Sequence, residues 1–345
     1  MKSGITFTTL ILFLGISSFN ATVGWMNKTK GVSNEMIREA VKKSIPILQV
    51  SGNTFIDVSK FHCASCHHSS LTSMVVELAK QKGIQVEDSF AVKRINAGVG
   101  NLIFASNPNN VIDFLNVKLF LPYVLIGLYA EKYKPDFNTD IGVAFLISEA
   151  KPDGSFPGEY QRVPLEIGQI HTTALTIHAI QLYSAPALKP QVDQLVVSTR
   201  NWLGKSNASS QQELAYQLLG LQWCGGGDSI KKEVSAKLIK LQRPDGGWAQ
   251  IPSMKSDAYA TGQTLNALYV SGMVSTEDEI YQRALSYLLK TQETNGTWFV
   301  QARSYIIQPF FNSRFPPDDE NQFISAAATN WATIALLQAL PDKMN

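Results

Sequence analysis

The chain of 345 residues has little cysteine: three residues, two of which lie in one short motif. Three cysteines cannot form the disulfide framework of a small secreted scaffold. Its 30 basic and 28 acidic residues nearly balance, at a net charge of +2, and they form no basic stripe. We therefore expect no nucleic-acid partner. Strand patterns are weak throughout, and no segment beyond the N-terminus has an apolar run long enough to span a bilayer.

The N-terminus carries a short apolar run, residues 5–16, which follows Lys2. A run of about a dozen residues is shorter than a membrane span and is typical of a signal peptide. Small residues at Ala21 and Gly24 place cleavage nearby, so residues 1–24 are predicted to be a signal peptide. The alternative is an uncleaved anchor, because a clean A-x-A motif is absent. The mature protein is expected in the periplasm or outside a bacterial cell, without a stable membrane span.

One motif concentrates the cofactor-binding residue types: Cys63-Ala64-Ser65-Cys66-His67-His68. Two thiols three positions apart, followed directly by a histidine, match the attachment of c-type haem. Cys63 and Cys66 would bond the haem vinyl groups, and His67 would ligate the iron. Export favours this interpretation over the zinc and redox motifs of cytosolic proteins. The motif therefore predicts haem c and, with it, a redox partner protein.

Alternatives to haem remain open at this motif. The two cysteines and His68 could bind zinc, with His171 or Asp257 completing a tetrahedral shell. The cysteines could instead form a reducible disulfide. If haem is bound, the second axial ligand is His171 or Met74. An open distal side would favour ligand binding or redox catalysis, and a filled one would favour electron transfer.

Three segments share a pattern in which an apolar helix end is followed by Asp or Asn, glycine, a small residue and an aromatic residue. They end at Phe156, Trp248 and Trp298. The pattern indicates a helix C-terminus, a tight turn whose glycine takes positive φ, and an aromatic side chain that folds back onto the helix. We therefore expect these aromatic residues to be structural.

Apolar residues recur at helical spacing between these turns. Segments that are small and polar on one side suit an inner helix layer around a common axis; they cover about 70–82, 119–133, 172–183, 211–224, 257–271 and 324–340. Segments with one charged face suit an outer layer; they cover about 34–49, 88–105, 108–117, 137–149, 188–204, 228–242 and 277–291. Such helix pairs form an open solenoid or a closed α/α barrel, and we favour closure. Residues 301–321 break the repeat length and are expected to form a rim loop.

The Gln-x-x-x-Gly-x-Trp endings at 242–248 and 292–298 resemble the QW repeats of squalene–hopene cyclases and related prenyltransferase/squalene-oxidase repeat proteins. The resemblance covers roughly residues 120–340. It implies an all-α, (α/α)6-type toroid of about six helix pairs, with no substantial sheet and an apolar central cavity. Together with the Cys/His motif, the chain resembles an exported bacterial subgroup. Residues 25–118, which carry the motif, and residues 119–345, which carry the repeats, are expected to form one continuous toroid.

Class II cyclases protonate an alkene through an Asp-x-Asp-Asp motif whose neighbouring groups hold the donor carboxyl as an acid. The matching stretch here, residues 256–261, keeps one acid, Asp257. Asp257 is a candidate proton donor, but the missing carboxylates argue against class II cyclase activity, and a helix N-cap explains the residue more simply. Other cavity candidates lie on the small-residue faces and in the adjoining loops: Glu166, Tyr259, Gln263, Arg303, Gln322 and Trp331. Arg303 could hold a carboxylate or a phosphate.

The sequence therefore predicts an exported haem-c protein on an α/α toroid, with an electron-transfer or redox role and a cavity for an apolar small molecule. The alternative is a terpenoid-cyclase-like or isoprenoid-binding protein whose Cys/His motif binds zinc or forms a disulfide. A repeat scaffold for protein partners is a third hypothesis, which a wide polar concave face would support. The sequence leaves open whether the protein is an enzyme.

Overall fold

The structure is a computed structural model that describes residues 31–59, 62, 64–105, 117–158, 162–165, 168–304 and 312–343. Residues 32–345 belong to one compact unit, which contains all the helices given below. The predicted signal peptide, Cys63, Glu166 and most of the predicted helix at 108–117 lie outside the described residues.

The described residues form helices in two alternating sets. The outer set comprises α1 (Asn34–Val58), α3 (Ser89–Ala105), α5 (Phe137–Ser148), α7 (Lys189–Lys205), α9 (Asp228–Lys240) and α11 (Glu279–Thr291). The inner set comprises α2 (Leu71–Gln81), α4 (Val117–Ala130), α6 (Gln169–Tyr183), α8 (Gln211–Trp223), α10 (Ala258–Val270) and α12 (Gln322–Gln338). A π-helical turn (Cys66–Ser70) precedes α2, and a 3₁₀ turn (Pro186–Leu188) precedes α7. The described part of the chain contains no β-sheet.

The inner helices close into a ring. Each packs against the next, from α2 to α12, and α12 packs back against α2. The contact between α10 and α12 is especially close, because a Cβ added to Gly262 would lie 2.5 Å from the carbonyl carbon of Trp331. Small residues on the inner faces permit this approach. The predicted all-α, (α/α)6-type toroid is therefore confirmed, and the open solenoid is excluded.

Helix α1 is longer than the sequence predicted. The expected end was near residue 49, but the helix runs to Val58 and includes Pro46. Its apolar face continues beyond that point, since Phe55 and Ile56 are both buried. Burial of these side chains favours continuing the helix, and this outweighs the turn signal of the Ser51-Gly52-Asn53 stretch.

The three repeat turns have the predicted geometry. Gly154, Gly246 and Gly296 adopt φ values of 85°, 91° and 89°, in the left-handed region that favours glycine. The backbone N–H of each following aromatic residue donates to a threonine of the next inner helix: Phe156 to Thr173, Trp248 to Thr261 and Trp298 to Thr329. Each turn therefore joins its outer helix to the inner helix that follows it.

The last repeat also links the two halves of the chain. The side-chain amide of Gln292 donates to the backbone oxygen of Ala40 at 2.9 Å, and Gly296 packs directly on the backbone of Lys43. Both partners belong to α1. The outer layer is therefore closed where the C-terminal repeat meets the N-terminal helix.

The two ends of the toroid have connections of different length. At the end where the inner helices begin, here called the loop end, the three longest connections are residues 149–168, 241–257 and 292–321. At the opposite end, here called the short end, the connections are residues 82–88, 131–136, 184–188, 224–227 and 271–278. None of the described helices combines the length and apolarity needed to cross a bilayer.

Candidate functional site

Asp257 immediately precedes α10 at the loop end, and it acts as the N-cap that the sequence predicted. Its Oδ1 accepts a hydrogen bond from the backbone N–H of Ala260 at 2.8 Å. Its Oδ2 accepts one from the side-chain amide of Gln250 at 3.0 Å. The backbone N–H of Asp257 donates to the backbone oxygen of Trp248 at 2.9 Å. The repeat turn and the start of the inner helix thus hold this carboxyl group from both sides.

The surroundings of Asp257 favour its protonated form. Burial raises the pKa of Asp257 to about 6, although the hydrogen bonds from Ala260 and Gln250 stabilise the carboxylate and lower it. Asp257 forms no ion pair within the described part of the chain. A carboxyl group with these properties carries a proton below about pH 6 and can donate it to a neighbouring molecule.

Arg303, from the long connection 292–321, joins the same site. Its Nε donates to the side-chain oxygen of Gln250 at 2.8 Å. The guanidinium group is half-buried, and burial lowers the pKa of Arg303, while the nearby Tyr259 and Asp257 raise it. Arg303, Gln250 and Asp257 therefore form a row in which Gln250 lies between the guanidinium group and the carboxyl group.

Behind this row, buried side chains form a hydrogen-bonded chain across the inner helices. The hydroxyl of Tyr259 donates to the side-chain oxygen of Gln212 at 3.0 Å. The amide nitrogen of Gln212 lies 3.1 Å from Nδ1 of His171, whose Nε2 lies 3.0 Å from the hydroxyl of Tyr123. The Tyr123 hydroxyl in turn lies 3.1 Å from that of Tyr216. The inner wall formed by these residues carries polar groups beside its apolar ones.

Burial raises the pKa of Tyr123, Tyr216 and Tyr259 above its ordinary value, so these hydroxyls stay neutral. A charge on the Cys66 thiol would raise the pKa of all three further, which places this cysteine close to the tyrosine cluster. Gln263 adds a hydrogen bond to the Tyr259 hydroxyl at 3.3 Å. The structure thus brings together four residues that were singled out from the sequence and lie far apart along the chain: Cys66, His171, Tyr259 and Gln263.

His67 and His68 are both buried, with 2% and 1% of their surface exposed. Their Nδ1 atoms face each other at 2.5 Å. The ring of His68 stacks on Phe55 at 5.1 Å, and that of His67 lies 5.0 Å from Phe323. Burial lowers the pKa of His68 to about 3 and that of His67 well below its ordinary value. Both imidazoles are therefore neutral in the folded protein.

His68 also connects the motif to the rim loop. Its Nε2 lies 2.7 Å from the hydroxyl of Ser313, which donates to the side-chain oxygen of Gln322 at 2.9 Å. Gln322, a predicted cavity residue, begins α12 and here holds the loop. Trp331, another of the candidates, is 4% exposed and lies where α12 crosses α10.

The structure describes Cys66 and His67 of the predicted haem site, but not Cys63. Cys66 starts the π-helical turn, and Nδ1 of His67 lies 3.3 Å from the hydroxyl of Ser65. Both ring nitrogens of His171 are engaged as given above, while Met74 lies on α2 against the core. Haem, its axial ligands and zinc stay predictions. Across the described ranges, no group of three or more His, Cys, Asp or Glu residues could hold a metal ion.

The residues Gln250, Gln212, Tyr123, Tyr216 and Ser313 were not singled out from the sequence. Gln250 carries a usable signal, because it follows the repeat tryptophan by two positions and precedes the acid in the same connection. Gln212 lies at the start of an inner helix, in the same place as Tyr259 in its own helix. Ser313 has no local signal, since its role depends on the distant His68.

No protein-family model matches the chain. Among curated proteins, drimenyl diphosphate synthase of Streptantibioticus cattleyicolor is 28% identical over 170 residues, which make up 44% of this chain and 30% of that protein. The match thus spans less than a third of the length of this relative.

Solved structures give a likeness over most of the chain. The type II terpene cyclase MstE from Scytonema matches with a TM-score of 0.59 and 14% identity, over 90% of this chain and 99% of that one. A variant of MstE in complex with its substrate, geranylgeranyl dihydroxybenzoate, gives 0.58 and 15%, over 89% and 98%. A protein from Actinoplanes gives 0.58 and 14%, over 88% and 99%. The fold is that of a terpenoid-cyclase-like toroid.

Proposed function

We propose that this protein is a terpenoid-cyclase-like enzyme that protonates an alkene of an isoprenoid molecule at the loop end, with Asp257 as the proton donor. The setting of Asp257 carries the proposal. It is a carboxyl group at the start of an inner helix, fixed by Gln250 and Ala260, with a pKa raised to about 6 by burial. The similarity to drimenyl diphosphate synthase and to type II terpene cyclases supports an isoprenoid substrate.

The chemistry requires the acid to give its proton to carbon. The π electrons of the alkene form the new C–H bond, the carboxyl group becomes a carboxylate, and a carbocation remains on the substrate. Attack by a second alkene of the substrate closes a ring and moves the cation to another carbon, and the cation is finally neutralised by losing a proton or by capturing water, which then loses a proton. Asp257 lacks the companion carboxylates of the Asp-x-Asp-Asp motif, since Tyr259 and Ala260 stand at the third and fourth positions. Here burial, and not neighbouring acids, keeps the donor protonated.

The direct test is proton transfer from solvent. Purified protein is incubated in D₂O with farnesyl diphosphate, geranylgeranyl diphosphate or squalene, and the products are analysed by mass spectrometry. We expect a product with one deuterium bound to carbon, and a rate about 10²- to 10⁴-fold lower for Asp257→Asn. Asp278→Asn is the matched control, because Asp278 is an exposed helix cap at the short end. Failure of every substrate to react, or an active Asp257→Asn variant, would contradict the proposal.

The pH profile gives a second readout for the same donor. Asp257 can act only while it is protonated, so the rate should fall as pH rises through about 6. A profile that is flat between pH 5 and 8 would argue that another group supplies the proton.

A second candidate function keeps the predicted c-type haem, with a redox role. It is favoured by His67, which directly follows Cys66, is buried, and has its Nδ1 engaged by Ser65 and His68. Bound haem would supply electron transfer at the motif. The protein, produced in a bacterium that matures cytochromes c, should then keep its Soret band after acid–acetone extraction. Cys66→Ala should lose the band, and Cys224→Ala should keep it. A colourless native protein would rule this candidate out.

A further inference from the structure

Gln250 makes one hydrogen bond to each of the two charged groups at the loop end. Its side-chain oxygen accepts from Nε of Arg303 at 2.8 Å, and its amide nitrogen donates to Oδ2 of Asp257 at 3.0 Å. The side chain of Gln250 is buried, with 4% of the residue exposed. Both ends of its amide are used, so its orientation is fixed by the two partners. The dipole of this amide therefore connects the guanidinium group to the carboxyl group.

Arg303 has the properties of an anion-binding group. Its guanidinium is half-buried, yet it pairs with no carboxylate within the described part of the chain. Among the residues that the structure describes, the guanidinium is engaged only through Nε, by Gln250, which leaves the two terminal nitrogens as donors. A planar guanidinium presents such donors in the geometry that suits a phosphate or a carboxylate.

We propose that Arg303 binds an anionic head group of the substrate, a phosphate or carboxylate, and that Gln250 couples the occupancy of this anion site to the protonation of Asp257. Gln250 is then a positioning residue. The inference rests on the proposed function in one respect, namely that Asp257 is the acid that must be protonated for the reaction.

The sign of the coupling follows from the charges. With the anion site empty, the positive charge of Arg303 favours the carboxylate form of Asp257. A bound anion cancels this charge and brings negative charge close to Asp257, which favours the protonated form. Because linkage is reciprocal, protonation of Asp257 must tighten anion binding by the same factor. Asp257 is thus protonated when the head group is bound to Arg303.

Other titratable groups around Asp257 cannot substitute for Arg303 in this coupling. Tyr259 on α10 and Tyr287 on α11 face the acid, but burial raises the pKa of both and keeps them neutral. Asp245, in the connection 241–257, is engaged by the backbone N–H of Gly247 and the hydroxyl of Ser256. Arg243 in the same connection donates to the backbone oxygens of Met254 and Pro252.

The experiment uses inorganic sulfate, whose charge does not change between pH 5 and 8. Isothermal titration calorimetry measures its affinity at both pH values, and measurement in two buffers of different ionisation enthalpy counts the protons taken up. We expect binding to the native protein to be about tenfold tighter at pH 5, with proton uptake, because one unit of pKa corresponds to a factor of ten. Asp257→Asn should bind sulfate with the same affinity at both pH values.

Further variants separate the anion site from the coupling. Arg303→Met should abolish sulfate binding, whereas Arg314→Met, an exposed arginine in the same connection, should bind as the native protein does. Gln250→Leu should keep sulfate binding at pH 8 but reduce the pH dependence to less than about threefold. Binding that survives Arg303→Met, or an undiminished pH dependence in Asp257→Asn or Gln250→Leu, would overturn the inference. Because no turnover is measured, an inactive protein with intact coupling would disprove the proposed reaction alone.

Discussion

At both ends of the toroid the chain reverses direction between the outer and inner layers, but different contacts hold the reversals at each end. At the short end, local bonds combine with a few distant contacts, such as that between the Tyr183 hydroxyl and the backbone oxygen of Tyr133. Asp136 and Thr139 form a capping box that starts α5, and the hydroxyl of Tyr133 donates to the same aspartate at 2.6 Å. At the loop end, the connections are held by residues far away in sequence, such as His68 with Ser313 and Tyr259 with Pro164. Both ends therefore use tertiary contacts, and at the loop end these contacts hold the long connections that carry the candidate site.

This difference explains where the candidate site lies in the molecule. Long connections can bring side chains over the N-termini of the inner helices, where backbone N–H groups and the helix dipole favour polar and acidic groups. Asp257, Gln250 and Arg303 meet in this way, although Arg303 comes from a different connection than the other two. The short end has no connection long enough to do the same.

The largest expected effect concerns two glycines, one at each end, that both require positive φ. Gly296, at the loop end, lies so close to α1 that an added Cβ would be 2.6 Å from the carbonyl carbon of Lys43. Gly225, at the short end, has nothing within 4 Å of that position. Gly296→Ala should lower the free energy of unfolding by about 3–5 kcal/mol, from backbone strain plus overpacking. Gly225→Ala should cost about 1 kcal/mol, from strain alone.

Urea denaturation of both variants measures this difference. Equal losses would mean that the last repeat does not dock on α1 in solution, and that the outer layer is not closed by this contact. A larger loss for Gly225→Ala would reverse the comparison between the ends.

The second prediction is that acid removes a stabilising contribution of the buried His68 at the loop end. The pKa of His68 falls from its ordinary 6.5 to about 3 on folding, because burial excludes the charged form. Its contribution to stability is present above pH 6.5 and is lost as pH falls through this window. At pH 4 the loss should reach about 3 kcal/mol. Toward the short end, burial lowers the pKa of His178 to about 4, so its contribution is lost over a similar range. Hydrogen bonds there outweigh burial and lower the pKa of Asp136, so the contribution of Asp136 is lost only below about pH 4.

Urea denaturation at pH 7, 5 and 4 measures the contribution of His68. His68→Asn should show a smaller loss of stability between pH 7 and pH 4 than the native protein. His62→Asn, which changes an exposed histidine next to the motif, should show the full loss. If both variants lose stability to the same extent, the buried histidine pair is not the source of the acid sensitivity.

The contrast between the ends also shows what the sequence could predict. Helical periodicity and the repeat turns gave the fold, since these signals are local and recur in every repeat; Gln242–Trp248 and Gln292–Trp298 suffice to define the turn. Asp257 was recognisable as a cap because capping is a local property. The pairing of Gln250 with Arg303 was not recognisable from the sequence, because it depends on where a long connection packs. The end of α1 was missed for the same reason, as tertiary burial of Phe55 extends the helix.

The smallest expected effect concerns one hydroxyl at each end. Ser313 joins His68 to Gln322 across the loop end, whereas Ser271 at the short end donates to the carbonyl of Leu268 within its own helix. Ser313→Ala leaves two buried groups without this partner and should cost about 1–2 kcal/mol, while Ser271→Ala should cost about 0.5 kcal/mol.

Hydrogen exchange separates a local from a global effect of this change. We expect Ser313→Ala to speed exchange of backbone amides in residues 312–321 by more than its loss of global stability explains, because the loop is held by this distant contact. Ser271→Ala should leave exchange at residues 271–278 close to native, since that connection keeps its own backbone hydrogen bonds. If the loop exchanges as slowly in Ser313→Ala as in the native protein, other contacts hold it. Packing would then hold the loop end more than its polar bonds do. Gln250 would in that case couple Arg303 to Asp257 within a more rigid part of the molecule.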